Sequence, residues 1–444
     1  MKFTIDVSDL LSEVALLHKI VPKAAGFPIL ENLLFHLKGN LLKITASDHQ
    51  TTVETEISVR EVEEEGDFVV PGEILYNALN KFHSGDTIGF SLEKGSYKLE
   101  MTVGENSYHV ATEDPEEYPV LPELDRSLSV QLPVKYLKAA IQNTLYAISQ
   151  DEIRPAMAGV LVEIEDDNRV VYFVSTDGHR LVKYTVHLKE GTGTSGRMVI
   201  PGKTLSFLKS VLDSHEEEHV KIDFSPSNAV FHLGSRQLSV RLIEERFPDY
   251  KRVVQVDNKN KVVVFRKELI NCLDRVLVFA NRATKQVSFL LEGNKLELSA
   301  EDLDYSRGAS EALVCRHDGE NIRIGFNATF LLDALKPLGS EEIEFQFDLP
   351  EKAAVLLPRD TLDEESEEEK KEDIFAMIMP IMLSSTTSSR DTKNEKDDED
   401  EIEEEDEIDE DEIEEEDEID EDEIEEEIED EDEEVEDGEA ENKE

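Results

Sequence analysis

The stretch STDGHRLVKY, residues 175–184, sets Asp177 and His179 two positions apart with Arg180 beside them. A carboxylate orienting an imidazole, next to a guanidinium, is the raw material of general acid–base chemistry. Such a base also needs a substrate pocket and a partner group. The sequence supplies no Gly-rich phosphate loop, no nucleophile elbow and no metal triad to go with it. The plainer reading is a turn histidine satisfied by Asp177, on a surface shaped for binding. The elements around the stretch have to decide between the two.

A chain of 444 residues allows two to four domains, and 39% hydrophobic content supports real cores. Cys272 and Cys315 are the two cysteines, and no histidines group with them. That leaves out a disulfide framework and a Cys-rich zinc site, and suits a reducing cytoplasm. The opening MKFTIDVSDLL carries Asp6 and Asp9 and lacks a basic segment leading into an apolar one, so it reads as no signal peptide. No apolar run approaches the ~20 residues of a membrane span. No metal or cofactor is expected.

The net charge is -58, and residues 391–444 hold 39 acids against 3 lysines. DEIEEEDEIDE at 400–410 repeats identically at 411–421. Its isoleucines do not line up on one helical face, so like-charge repulsion predicts an extended, solvated tail over 384–444. A second acidic stretch, DEESEEEKKED at 363–373, interrupts two strand-like runs, AAVLLP and IFAMIMPIML. An acidic protein is repelled by nucleic acid unless it carries a local basic face or a link that needs no attraction.

The first 383 residues carry a weak threefold repeat. Each third opens with a strand and an amphipathic helix: SDLLSEVALLHKIVPK (8–23), PVKYLKAAIQNTLYAIS (133–149) and RKELINCLDRVLVFANRA (266–283). Alternating strands follow, then a second helix begun by Pro-Gly at 71–72 and 201–202, with Asn327 in the equivalent place. This predicts three α+β domains of about 130 residues, each with two helices on a sheet: 1–124, 125–253 and 254–383. The polar helix faces carry Lys19, Lys23, Lys81, Lys135, Lys138, Lys203, Lys209, Arg275 and Arg282. They read either as ordinary solvated surface or as a basic inner face beneath an acidic exterior.

PILENLLFHLKGNLLKITASD, IRPAMAGV, STDGHRL, RFPDYKRV, IGFN and MPIML occur in the order and spacing of the bacterial sliding clamps, the β subunits of DNA polymerase III. The resemblance covers residues 1–383. It implies a non-catalytic processivity factor: a head-to-tail homodimer closing a ring of six domains, helices lining the hole, around duplex DNA contacted without regard to sequence. Such a protein would be cytoplasmic, and nucleoid-associated when loaded. It further implies a hydrophobic cleft for short peptides of the replicative polymerase, the clamp loader and other replication and repair proteins. Carried over by motif, the cleft comprises Met157, Thr176, Gly178, His179, Arg180, Leu181, Pro248, Arg252 and Val253. Met377, Ile378, Met379, Pro380 and Ile381 close it. Methionines and small aliphatics suit varied apolar anchors.

The same resemblance makes the strand SYHVAT a subunit edge through Tyr108 and Val110, opposite Val278 and Phe279. Lys203 matches a basic pore position. The basic residue such clamps often carry before PIL is here Ala24 or Ala25, with Lys23 the nearest charge. Family members also tend to stop near Leu383, whereas this chain runs on for another 61 residues. That tail is either a solubilising appendage or a regulator of access to the ring. The alternative function is a ring-shaped peptide scaffold that no longer loads on DNA. The enzyme reading rests on Asp177 and His179 alone.

Overall fold

The computed structural model describes residues 1–383 apart from 23–25, 94, 120–123, 125–126, 152, 166–168, 216, 256–257 and 360–371. Lys23, Ala24, Ala25, most of the acidic insert and the tail from 384 therefore lie outside the described residues. Residues 1–384 form one compact unit.

The threefold repeat appears as a strand that runs straight into a helix, twice per third. The helices are α1 (Val7–Leu17), α2 (Gly72–Leu79), α3 (Val134–Thr144), α4 (Gly202–Leu212), α5 (Tyr250–Val253), α6 (Arg266–Leu277) and α7 (Ala328–Leu335). All but the short α5 begin directly after the last residue of a strand. Pro71, Pro133 and Pro201 make three of these transitions. Their fixed φ suits an extended residue leading into a helix. Asn327 solves the same problem differently: its side chain accepts from the Thr329 and Phe330 amides. The helices pack in pairs, α1 with α2, α3 with α4 and α6 with α7.

The first helix of each third is shorter than its apolar periodicity predicts. After α1, the amides of Lys19 and Ile20 tighten into i→i−3 turns, because Pro22 cannot continue a helix and disfavours the helical conformation at Val21. After α3, the Thr144 carbonyl is taken by the Ser175 hydroxyl at 2.6 Å, and a 3₁₀ turn, Leu145–Ala147, follows. After α6, Asn281 accepts from the Ala283 and Thr284 amides in a local turn. A helix period continues through such residues; the side-chain hydrogen bonds that stop the helix are tertiary or local choices.

Four antiparallel sheets surround the helices, and two of them cross from one third to the next. An eight-stranded sheet joins the first and second thirds where Arg236–Arg241 pairs with Thr51–Ser58. A nine-stranded sheet joins the second and third where Arg180–His187 pairs with Glu372–Ile378. A five-stranded sheet belongs to the first third and a four-stranded one to the last. The acidic insert also needs a correction. Glu372 and Asp373 are not in a loop but open the final strand, opposite Val186 and Thr185. Hydrogen bonds explain this: the Tyr184 hydroxyl donates to Glu372, and His187 meets Asp373 at 3.4 Å.

Candidate functional site

The TDGHRL turn links Val170–Thr176 to Arg180–His187. Asp177 Oδ1 accepts from the amides of His179 and Arg180, both at 2.9 Å, and Thr176 Oγ1 donates to the Arg180 carbonyl at 2.7 Å. Gly178 takes φ +88°, a conformation open to glycine at little cost. Asp177 Oδ2 accepts from Arg180 Nε at 2.9 Å. Both oxygens of Asp177 thus build the turn rather than orient the imidazole. The exposed His179 ring stacks instead on Phe330 of α7, centroids 6.2 Å apart. Among the described residues no three histidines, cysteines or acids gather as a metal site. The acid–base reading has no geometry behind it.

Arg180 is 9% exposed and fully engaged. Besides Asp177, it donates through Nη1 to Asp333 of α7 at 2.8 Å and through Nη2 to the Tyr146 carbonyl at 2.5 Å. Its guanidinium lies 4.3 Å from the Phe330 ring centroid. Arg180, expected in one wall of the cleft, has its side chain spanning the seam between the second and third thirds. Burial pushes the Tyr146 phenol well above its ordinary range.

The other cleft residues divide into floor and rim. Leu181 and Met377 face each other across the sheet joint and pack with Phe247, Tyr250, Val355 and Val174 in one apolar cluster. Thr176 and Ile378 are buried too. Gly178, His179, Arg252, Val253 and Met379 are exposed, and Met157, Pro248, Pro380 and Ile381 are half-buried. Met379 is tied to the turn, its amide donating to the His179 carbonyl at 2.8 Å. Ile381 is tied to Gly325, where a Cβ would come within 2.5 Å of the Ile381 carbonyl. The rim helix α5 is anchored from below: Tyr250 donates to Glu163 at 2.6 Å, and Arg197 and Lys251 pair with the same carboxylate. Burial alone would raise the Glu163 pKa, but these hydrogen bonds hold it below the ordinary range.

The apolar cluster at the joint, the half-buried Tyr172 packed against it, and Phe330 stacked on His179 lie around the TDGHRL turn. Motif reading missed Phe330, Asp333, Tyr172 and Ile243. Phe330, Asp333 and Ile243 lie far from STDGHRL in sequence, and only the fold brings them near it; Tyr172 stands three residues before it, on the strand that leads into the turn.

The two sheets confined to single thirds each end in an open edge. Asn106–Ala111 is the outer strand of the five-stranded sheet, with Tyr108 exposed against Phe82 and Val110 half-buried on the core. Arg307–Val314 is the outer strand of the four-stranded sheet, with Gly308, Ser310, Ala312 and Val314 all exposed. Val278 and Phe279, 68% and 40% exposed, follow α6, which packs on that strand. The edge at 307–314 was not singled out from sequence, although its alternation of small exposed residues with Ala309, Glu311 and Leu313 was there to read.

The family models for the N-terminal, central and C-terminal domains of the DNA polymerase III beta subunit match residues 1–122, 131–249 and 251–373. The chain belongs to the DNA polymerase III beta-subunit family. The beta sliding clamp of Staphylococcus epidermidis is 29% identical over 368 residues, spanning 81% of this chain and 96% of that protein. The solved sliding clamps of Bacillus subtilis and Bartonella birtlesii, the latter bound to griselimycin, superpose with TM-scores of 0.78 and 0.79. Each is 26% identical, and the match covers 86% of this chain and all of theirs. The function is that of a DNA sliding clamp, a processivity factor rather than an enzyme.

The cations expected to face DNA in this clamp are unevenly placed. Lys135 and Lys138 lie on α3, Lys203 and Lys209 on α4, and Arg275 on α6. Lys19, Lys81 and Arg282 fall in the turns after the helices rather than on them. Lys203 pairs with Asp48, and Lys138 with Asp213 at 3.4 Å. Arg275 grips Glu311 on the open edge strand at 2.7 and 2.5 Å, so it belongs with that edge. No helix is long and apolar enough to cross a membrane among the described residues.

Proposed function

We propose that two copies close head to tail into a ring around duplex DNA, and that partner peptides dock in the groove over the second joint. One observation carries the ring: both internal joints extend a sheet across a boundary, while one five-stranded and one four-stranded sheet end in open edges. Pairing Asn106–Ala111 with Arg307–Val314 of a second copy would make a third joint of nine strands, with Tyr108 and Val110 facing Val278 and Phe279. An unpaired edge is otherwise a liability that proteins cover. Encirclement resolves the charge problem, because a topological link needs little attraction. Phosphate contacts by Lys135, Lys138, Lys203, Lys209, Lys19 and Lys81 carry no sequence information and permit sliding. The ring acts on the chromosome, in the cytoplasm, and tethers the replicative polymerase, the clamp loader and other peptide-bearing partners.

The pairing of Lys203 and Lys138 with acids favours a second reading, a peptide-binding ring that no longer loads on DNA. One experiment separates the two. The protein is loaded on a nicked circle with its clamp loader and ATP, isolated, and half of the sample is linearised. Retention on circles and loss from linear ends is the result expected of the clamp. Failure to load, or equal loss from both, would leave the scaffold.

A further inference from the structure

Resting on the cleft reading above, we propose that Asp333 is a positioning residue for the peptide cleft. Through Arg180 it couples occupancy of the cleft to the joint between the second and third thirds. Asp333 touches no part of the exposed rim itself. Its Oδ2 accepts from Arg180 Nη1 at 2.8 Å, across the boundary from α7 to the TDGHRL turn. Arg180 Nε and the backbone amides at 179 and 180 converge on the same Asp177 carboxylate, so the guanidinium position sets the turn. The turn in turn presents the His179 ring to Phe330, one helical turn before Asp333, and the His179 carbonyl to the Met379 amide.

Both sides of the groove therefore hang on one side chain. Arg180 is held by two carboxylates, a carbonyl and an aromatic face, contributed by both thirds. Charge-assisted hydrogen bonds of this kind are directional, and their loss moves what they orient. Asp333 is the partly exposed member of the set, with 36% of its side chain open to solvent. It is thus the member whose replacement least disturbs the core. Coupling is reciprocal: a ligand that fixes His179 and Met379 must also tighten the Arg180–Asp333 contact.

The test uses the full-length protein and griselimycin as the probe, titrated calorimetrically, with hydrogen exchange read at residues 145–147 and along α7. Asp333→Asn is expected to weaken binding about tenfold, within the usual range of such couplings. Asp333→Glu is expected to recover most of the loss. Exchange should slow on binding in the wild type and much less in Asp333→Asn. Melting temperature serves as the control for a merely structural role, which would lower it without changing affinity. Should Asp333→Asn fail to fold, Asp333→Ser removes the same carboxylate and carries the same expectation. Equal affinities for wild type and a folded variant overturn this proposal alone. A wild type that does not bind the probe overturns the cleft reading beneath it.

Discussion

The two joints inside the chain solve one problem in different ways. Each carries a sheet across a boundary, and each places an arginine against a carboxylate from the other side. At the first joint, Arg236 donates to Glu13 of α1 at 2.9 and 2.6 Å, and Thr55 adds a hydroxyl at 2.7 Å. Glu13 is 6% exposed, so the carboxylate is sealed in, while the Arg236 side chain keeps 20% of its surface open. At the second joint, Arg180 serves two carboxylates, one of them with 36% of its side chain exposed, beside an apolar cluster. The sealed joint can only hold. The open one is where the proposed coupling to a bound ligand would act, because one of its carboxylates is partly exposed. Among the described residues, the outer strands Asn106–Ala111 and Arg307–Val314 carry no such pair across a boundary, which supports the proposal that a second copy pairs there.

The comparison breaks most visibly if the arginines are exchanged for alanine. Arg236→Ala strands a buried carboxylate and is expected to cost about 3–5 kcal/mol, read by denaturant unfolding. Arg180→Ala leaves better-solvated acids behind and should cost less, about 1–3 kcal/mol. The reverse order would undo the distinction between sealed and open joints. At the chain ends, Phe279→Asp places a charge in the proposed seam and should raise the dimer dissociation constant about 100-fold, followed by sedimentation on dilution. An unchanged constant would move the seam elsewhere.

A smaller effect sharpens the account of the groove. In the proposed groove, His179→Ala should weaken a docked partner peptide about tenfold while the melting temperature stays put, since the exposed ring contributes little to the core. The mildest test is acid. Burial alone would raise the Glu13 pKa, but hydrogen bonds from Arg236 and Thr55 and the Arg236 charge bring it below its ordinary 4.5. A carboxylate with a depressed folded pKa stabilises fully above its unfolded value and loses that contribution as pH falls through the folded one. Stability should therefore decline below about pH 4.5, and Glu13→Gln should flatten that part of the profile. A decline of the same size in the variant would assign it to other acids.

The threefold repeat was legible because each third spends the same local devices: an apolar stripe at helical spacing, a proline or asparagine at the strand-to-helix step, alternating strands. The helix ends were less so. Ser175 taking the Thr144 carbonyl stops α3, and nothing near Thr144 in the chain announces Ser175. Glu372 and Asp373 read as insert by composition, yet the bonds of Tyr184 and His187 draw them into a strand. Charge on a helix was readable, but its employment was not: Lys203 and Arg275 look alike in sequence, and one meets Asp48 while the other holds an edge strand.

By itself the sequence determined the repeat, the motifs that mark the family and the residue types around the groove, because these depend on periodicity and on residues close in the chain. Only the tertiary structure decided which of those residues are buried and which are exposed. Arg180, Leu181 and Met377 share motifs with exposed neighbours, and burial is set by strands and helices more than a hundred residues away. Asp333 and Phe330 reach the TDGHRL turn for the same reason. The sheet joint places α7 beside it, and such pairings are fixed by the packing of whole elements rather than by any local signal.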